Sequence, residues 1–153
     1  MSHYGFPDRG TPYNNPAPMP KTVPHVDEIG ATSAPLKSAS FFIGEKCKEF
    51  NEDFMLCKSK NPSEKCLLEG RRVTRCAADL LQKMQASCAK EFESHWQCLE
   101  MNNQEFYPCR KVERPLNACM FTKLGLKKTI PGTPKGATPI HEVENPIHQP
   151  LLK

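Results

Sequence analysis

Apolar positions recur through the middle of the chain in steps of three and four. Cys47, Phe50, Phe54 and Cys57 form one stripe, with Lys46, Lys48, Glu49, Glu52 and Asp53 on the remaining faces. That is the period of an amphipathic helix. A second stripe runs Cys66, Val73, Cys76, Leu80, Met84, a third Cys88, Phe92, His95, Leu99, and a fourth Cys109, Val112, Leu116, Cys119. The pattern predicts an all-α fold.

Boundary signals are uneven. Ser38 or Ser40 can cap the first helix, and Asn61-Pro62-Ser63-Glu64 restarts the chain with Asn as N-cap, Pro at the first helical position and Glu at the third. Gly70 weakens the second helix by about 1 kcal/mol relative to Ala, and its missing side chain admits a close partner. No Gly or Pro separates the second helix from the third, so a break near Ser87–Lys90 rests on hairpin logic alone. The connection from Glu100 to Tyr107 holds polar residues, with Phe106 and Tyr107 before Pro108. In the fourth helix Pro115 would clash with the preceding turn. Either that helix starts late, near Lys111–Glu113, or it is kinked, and Cys109 lies at or beyond its end. Leu124-Gly125 is a C-terminal stop.

The cysteines turn four stripes into an architecture. All eight fall in consecutive pairs with nine residues between partners, and the gaps between pairs are eight, eleven and ten residues. A ten-residue step along a helix rises about 15 Å, whereas a disulfide needs Cα atoms within about 7 Å. Each cysteine must therefore bond to another helix. Between antiparallel Cx9C helices the outer cysteines face each other, as do the inner ones. The expected bonds are Cys47–Cys76, Cys57–Cys66, Cys88–Cys119 and Cys98–Cys109, giving two stapled antiparallel helical hairpins. Cys98–Cys109, beside the irregularity of Pro115, is where the geometry is expected to depart from a simple hairpin pair. Structural zinc sites use closer cysteines or Cys–His pairs, and thiol oxidoreductases use C-x-x-C. Neither spacing occurs here, so the sulfurs are read as structural.

Composition sets the limits of the ordered part. Seven of fifteen prolines lie in residues 1–40 and five in 126–153. The expected organisation is an extended Pro-rich flank over 1–37, a first hairpin over 38–86, a second over 87–125 and an extended Pro-rich tail over 126–153. In the N-terminal flank Tyr4, Phe6 and Tyr13 are stray aromatics that could anchor to a partner, and Val23 to Ile29 is the part expected to be fixed. A core this small has little apolar surface to bury, and cross-links then become decisive.

Charge adds little. Basic and acidic residues number 21 and 17 and are spread over all segments, which is a solvated surface rather than a nucleic-acid footprint. Arg71, Arg72 and Arg75, the densest basic cluster, read as an exposed helix face. His95 has no second ligand at helical spacing and reads as a packed or surface histidine. No nucleophile–base pair, metal-ligand spacing or phosphate-cradling loop is recognisable. The expectation is a non-enzyme without cofactor or metal.

Disulfides require an oxidising compartment. Yet the start MSHYGFPDRG has neither the apolar region of a secretory signal nor an Arg-rich amphipathic pattern. Asn61-Pro62-Ser63 is no glycosylation acceptor, and no apolar run is long enough for a membrane span.

The doubled Cx9C pairs, with FMLC (54–57), CLLEG (66–70), Trp96 two residues before Cys98, CRK (109–111), TKLG (122–125) and ENPIH (144–148), carry a family resemblance over roughly residues 23–148. The chain resembles the coiled-coil-helix-coiled-coil-helix proteins of the mitochondrial intermembrane space. Within them it is similar to a two-hairpin family of accessory subunits of respiratory complex I. Pro115 departs from the ordinary helix former expected there.

The resemblance implies a non-catalytic structural subunit on the intermembrane-space face of the membrane arm, peripheral to the inner membrane. Other complex I subunits would be its partners. It also implies import in the reduced state and trapping by the intermembrane-space disulfide relay. In such recognition an aromatic or aliphatic residue sits three or four positions from a docking cysteine, a pattern that Phe54 before Cys57, with Phe50 one turn earlier, fits, although both phenylalanines also suit a core. The alternative from the same import class is a soluble assembly factor or metallochaperone. Copper carriers of that class use adjacent or extra cysteines, and none is left here once four disulfides form.

Overall fold

A computed structural model of the chain describes residues 19–143. The stray aromatics Tyr4, Phe6 and Tyr13 and the ENPIH motif lie outside these residues. Five α-helices follow one another: α1 Ser33–Lys46, α2 Lys48–Lys60, α3 Leu67–Ser87, α4 Ala89–Met101 and α5 Arg110–Lys123. Single 3-10 turns, Ser63–Lys65 and Tyr107–Cys109, precede α3 and α5. The described residues contain no strand, and the fold is all-α with paired, disulfide-linked helices.

The first helix begins earlier than expected. Ser33 opens α1 behind Thr32, whose backbone is extended at φ −77° and ψ 177°. Pro35, within the stretch expected to be an extended flank, occupies the first helical turn. There the missing N–H has no helical acceptor to lose. The second restart moves the other way. The Asn61-Pro62-Ser63 signal produces only the 3-10 turn, and α3 begins at Leu67.

The residue immediately before each of four helices is the first cysteine of a Cx9C unit. Cys47, Cys66, Cys88 and Cys109 stand immediately before α2, α3, α4 and α5, with φ between −98° and −131° and ψ between 12° and 34°. Their carbonyls open the next helix, as in Asn51 N–H to Cys47 O and Phe92 N–H to Cys88 O. The unit is therefore a break followed by a helix whose tenth residue is the second cysteine, not a continuous helix through both.

Packing does not divide at residue 86. α2 lies on α3, and α4 on α5, but α1 packs on α4 and on α3. The central cluster draws Ala39 and Phe42 from α1, Leu80 and Met84 from α3, Phe92 from α4, and Leu116 and Met120 from α5, with Cys88 and Cys119 among them. Fully burying a side chain of this size stabilises by about 1.5–3 kcal/mol. Lys46 reaches Asp79 at 3.1 Å and ties α1 to α3. By contrast α2 contributes no buried residue.

The return of the chain after α5 is fixed by Gly125. Its φ of +62° lies in the left-handed region, and Leu126 N–H bonds back to the Met120 carbonyl. Residues 126–143 then run without helix, yet Lys128 and His141 in this stretch are buried.

Candidate functional site

Each disulfide joins a cysteine at a helix break to the tenth residue of a neighbouring helix. Cys47 bonds Cys76, Cys66 bonds Cys57, Cys88 bonds Cys119 and Cys109 bonds Cys98, with Cα separations of 5.9, 5.9, 6.0 and 5.9 Å. No cysteine is free. The break cysteines are 0–2 % exposed, so the cross-links are seated from the inside. The departure expected at Cys98–Cys109 is not seen in its Cα spacing. Pro115 lies inside α5, which starts at Arg110 rather than later, and Cys109 precedes that helix beyond the proline's reach.

The residues read as a docking motif are not core. Phe50 is 41 % exposed. Phe54 is half-buried, with its ring against Gly70 and the Lys58 ammonium 5.2 Å from its centroid. A Cβ at residue 70 would stand 3.3 Å from Phe54 Cε2, which is the close approach that glycine permits. Because α2 packs mainly on α3 and only adjoins α1, its apolar residues have nowhere deeper to go. Beside this ring, the Sγ atoms of Cys57 and Cys66 and a Glu69 carboxylate oxygen lie within 4.8 Å of one another. Those two sulfurs are bonded to each other, so they offer no thiolate.

A second assembly was not legible in the stripes. Glu113 sits at a core position of α5, 0 % exposed, and accepts from Arg110 Nη1 and from Lys128 Nζ, each at 2.6 Å. Lys128 comes from the segment after α5. Its ammonium also donates to Asn117 Oδ1 at 3.1 Å and faces the rings of Phe42 and Phe41 at 5.2 and 5.6 Å. Burial pushes the Glu113 carboxyl upward, but the two cations outweigh it and hold the group below the ordinary carboxylate value. Burial lowers the Lys128 ammonium more than Glu113 restores it.

Next to this cluster, His95 is fully buried on α4. Its Nδ1 is 2.6 Å from Ser38 Oγ of α1, and its ring stacks on Phe106. Burial depresses its pKa to about 4, so the ring is neutral at physiological pH. His141 is lowered as well, again by burial. A sequence signal for the cluster existed. Glu113 falls between Cys109 and Leu116 at helical spacing, where a charge on the inner face requires a buried partner.

No protein-family model matches the chain. Individual relatives do. The NADH-ubiquinone oxidoreductase 20.8 kDa subunit of Neurospora crassa is 52 % identical over 127 residues, covering 81 % of this chain and 69 % of that protein. The chain belongs to the family of alpha-subcomplex subunit 8 of NADH:ubiquinone oxidoreductase, respiratory complex I. Two Arabidopsis thaliana relatives, NADH dehydrogenase [ubiquinone] 1 alpha subcomplex subunits 8-A and 8-B, are each 41 % identical over 83 residues. These matches cover 54 % of this chain and 77 % and 78 % of the relatives. In this subunit 8 family chain the described residues bring together cross-links, a neutral histidine and a buried ion cluster. All three are means of holding helices in place.

Proposed function

We propose that the chain is a non-catalytic accessory subunit of respiratory complex I. It would bind peripherally on the intermembrane-space face of the membrane arm and support assembly and stability. The observation that carries this reading is the 52 % identity to the Neurospora 20.8 kDa subunit over four fifths of the chain. Four disulfides require oxidising surroundings, and no described helix is long and apolar enough to cross a membrane. Cross-linked helices make a stiff clip that loses little entropy when partners bind it. With every cysteine paired, a metallochaperone would lack the thiolates it needs, which favours the subunit over that alternative.

Native electrophoresis tests this. A tagged chain should co-migrate with NADH dehydrogenase activity, resist carbonate-free washing with the membrane, and become protease-sensitive once the outer membrane is opened. A chain found only as a soluble monomer would overturn the reading. Import through the disulfide relay is part of the same proposal, with Phe50 and Phe54 presented to the relay and Cys57 as the docking cysteine. The exposure of Phe50 supports it. Replacing both phenylalanines with leucine should preserve import and replacing both with serine should block it; unchanged import of the serine variant removes the recognition role.

A further inference from the structure

Among the described residues, no helix covers one face of α5. Lys111, Arg114, Pro115, Ala118 and Phe121 recur along it at helical spacing, opposite the buried face of Glu113, Leu116, Asn117 and Met120. Along this outer face runs an open cleft of about 750 Å³, floored by Pro108, Pro115 and Ala118 and edged by Tyr107, Arg110, Lys111 and Arg114. A second hollow of about 310 Å³ shares Arg114 and Ala118 and continues it to Phe121, which is 39 % exposed, with His141 and Glu142 of the segment after α5 on its far wall.

Two features say what fits there. First, no carboxylate lines the larger cleft although three cations do. Arg110 is neutralised by Glu113, but Arg114 donates to the neutral Val143 carbonyl and Lys111 forms no ion pair among the described residues. Among the described residues, two cations on adjacent turns are thus without an ion-pair partner. Second, the floor between them is apolar and shallow. Ala118 keeps it low, and Pro115 has no N–H for the Lys111 carbonyl, which leaves a backbone acceptor on the same face.

We propose that this α5 face is a docking surface for an acidic, apolar protein segment of a neighbouring subunit. Its carboxylates would meet Lys111 and Arg114 while its apolar side lies over Ala118 and Phe121. The inference deepens the subunit reading by naming the contact surface and the chemistry of the partner. Charge complementarity of this kind steers encounter and fixes register.

The test is a photo-cross-linkable amino acid placed at Ala118 and irradiated in intact mitochondria, with formation of all four disulfides as the folding check. The expected product joins residue 118 to an Asp- or Glu-rich protein segment. Lys111→Glu should lower its yield on the order of tenfold through like-charge repulsion, and Lys111→Arg should retain it. Cross-links to lipid alone, no protein product, or a yield unchanged by Lys111→Glu would each overturn the proposal. A product with an acidic segment outside complex I would uphold the surface and overturn the subunit reading, so the two fail separately.

Discussion

Replacing Glu113 with alanine should be among the most damaging single changes in the helical core. The ammonium of Lys128, 0 % exposed, would lose its carboxylate partner at 2.6 Å and keep only Asn117 Oδ1 at 3.1 Å and two ring faces. Stripping one partner from a buried pair costs about 3–5 kcal/mol. Cation–π contacts in a dry site are worth about 2 kcal/mol and already exist in the parent, so they do not offset that loss. The expected destabilisation is therefore about 3 kcal/mol or more.

Lys128→Met should cost less, because Glu113 retains Arg110, whose side chain is 14 % exposed and partly solvated. The double variant Glu113→Leu with Lys128→Met should recover much of the loss, since a well-packed apolar pair often equals a buried ion pair. Urea unfolding of the oxidised protein, followed by helical circular dichroism, measures these variants, together with Glu113→Leu alone to close the cycle, against the parent. A coupling energy near zero across the cycle, or a double variant less stable than the sum of the singles, would refute the assignment of Glu113–Lys128 as one interacting unit.

Three further outcomes follow from the same geometry. His95 has a folded pKa of about 4 against 6.5; as pH falls below 6.5 the unfolded chain takes up the proton first, so stability should drop towards pH 4 by about 3 kcal/mol. His95→Gln should flatten that slope in urea titrations between pH 4.5 and 7.5, and an unchanged slope would assign it elsewhere. Gly70→Ala should be close to neutral, because a helix-propensity gain of about 1 kcal/mol is set against pushing the half-buried Phe54 ring, whereas Gly70→Leu should displace the ring and lower the melting temperature. Replacing Cys57 and Cys66 with serine should speed hydrogen exchange in α2 while leaving the central cluster protected. The same change at Cys88 and Cys119, both inside that cluster, should lower global stability by about 2–4 kcal/mol; equal effects of the two pairs would contradict the picture of one shared core.

The helix stripes were legible because the inner faces of α3 and α4 carry little else. Leu80, Met84, Phe92 and Leu99 are all buried as their spacing implies. The break at Cys88 was legible only through the cysteine spacing, since no turn-forming residue marks it. Less could be read at the ends. Pro35 has the same letter whether it extends a flank or opens a helix, and only packing against α4 decides between them. Phe50 and Phe54 matched a core pattern, but periodicity reports which face of a helix is apolar, not whether anything covers it. The Glu113 cluster depends on Lys128, fifteen residues further along a segment with no periodicity, and a pair formed through a loop leaves no helical signature.

The packing of α1 on α4 has a consequence for the order in which a chain threaded from its N-terminus can mature. The bond from Cys57 to Cys66 spans nine positions and can close once that short stretch has emerged. Phe42 and Ala39, however, wait for Phe92, Leu116 and Met120 to arrive. Until then the leading hairpin carries an uncovered apolar flank, and a product truncated after residue 86 would keep it permanently. For a chain threaded in that direction the two hairpins would be successive stages of one folding event, and the interval between them would be when it most needs an escort.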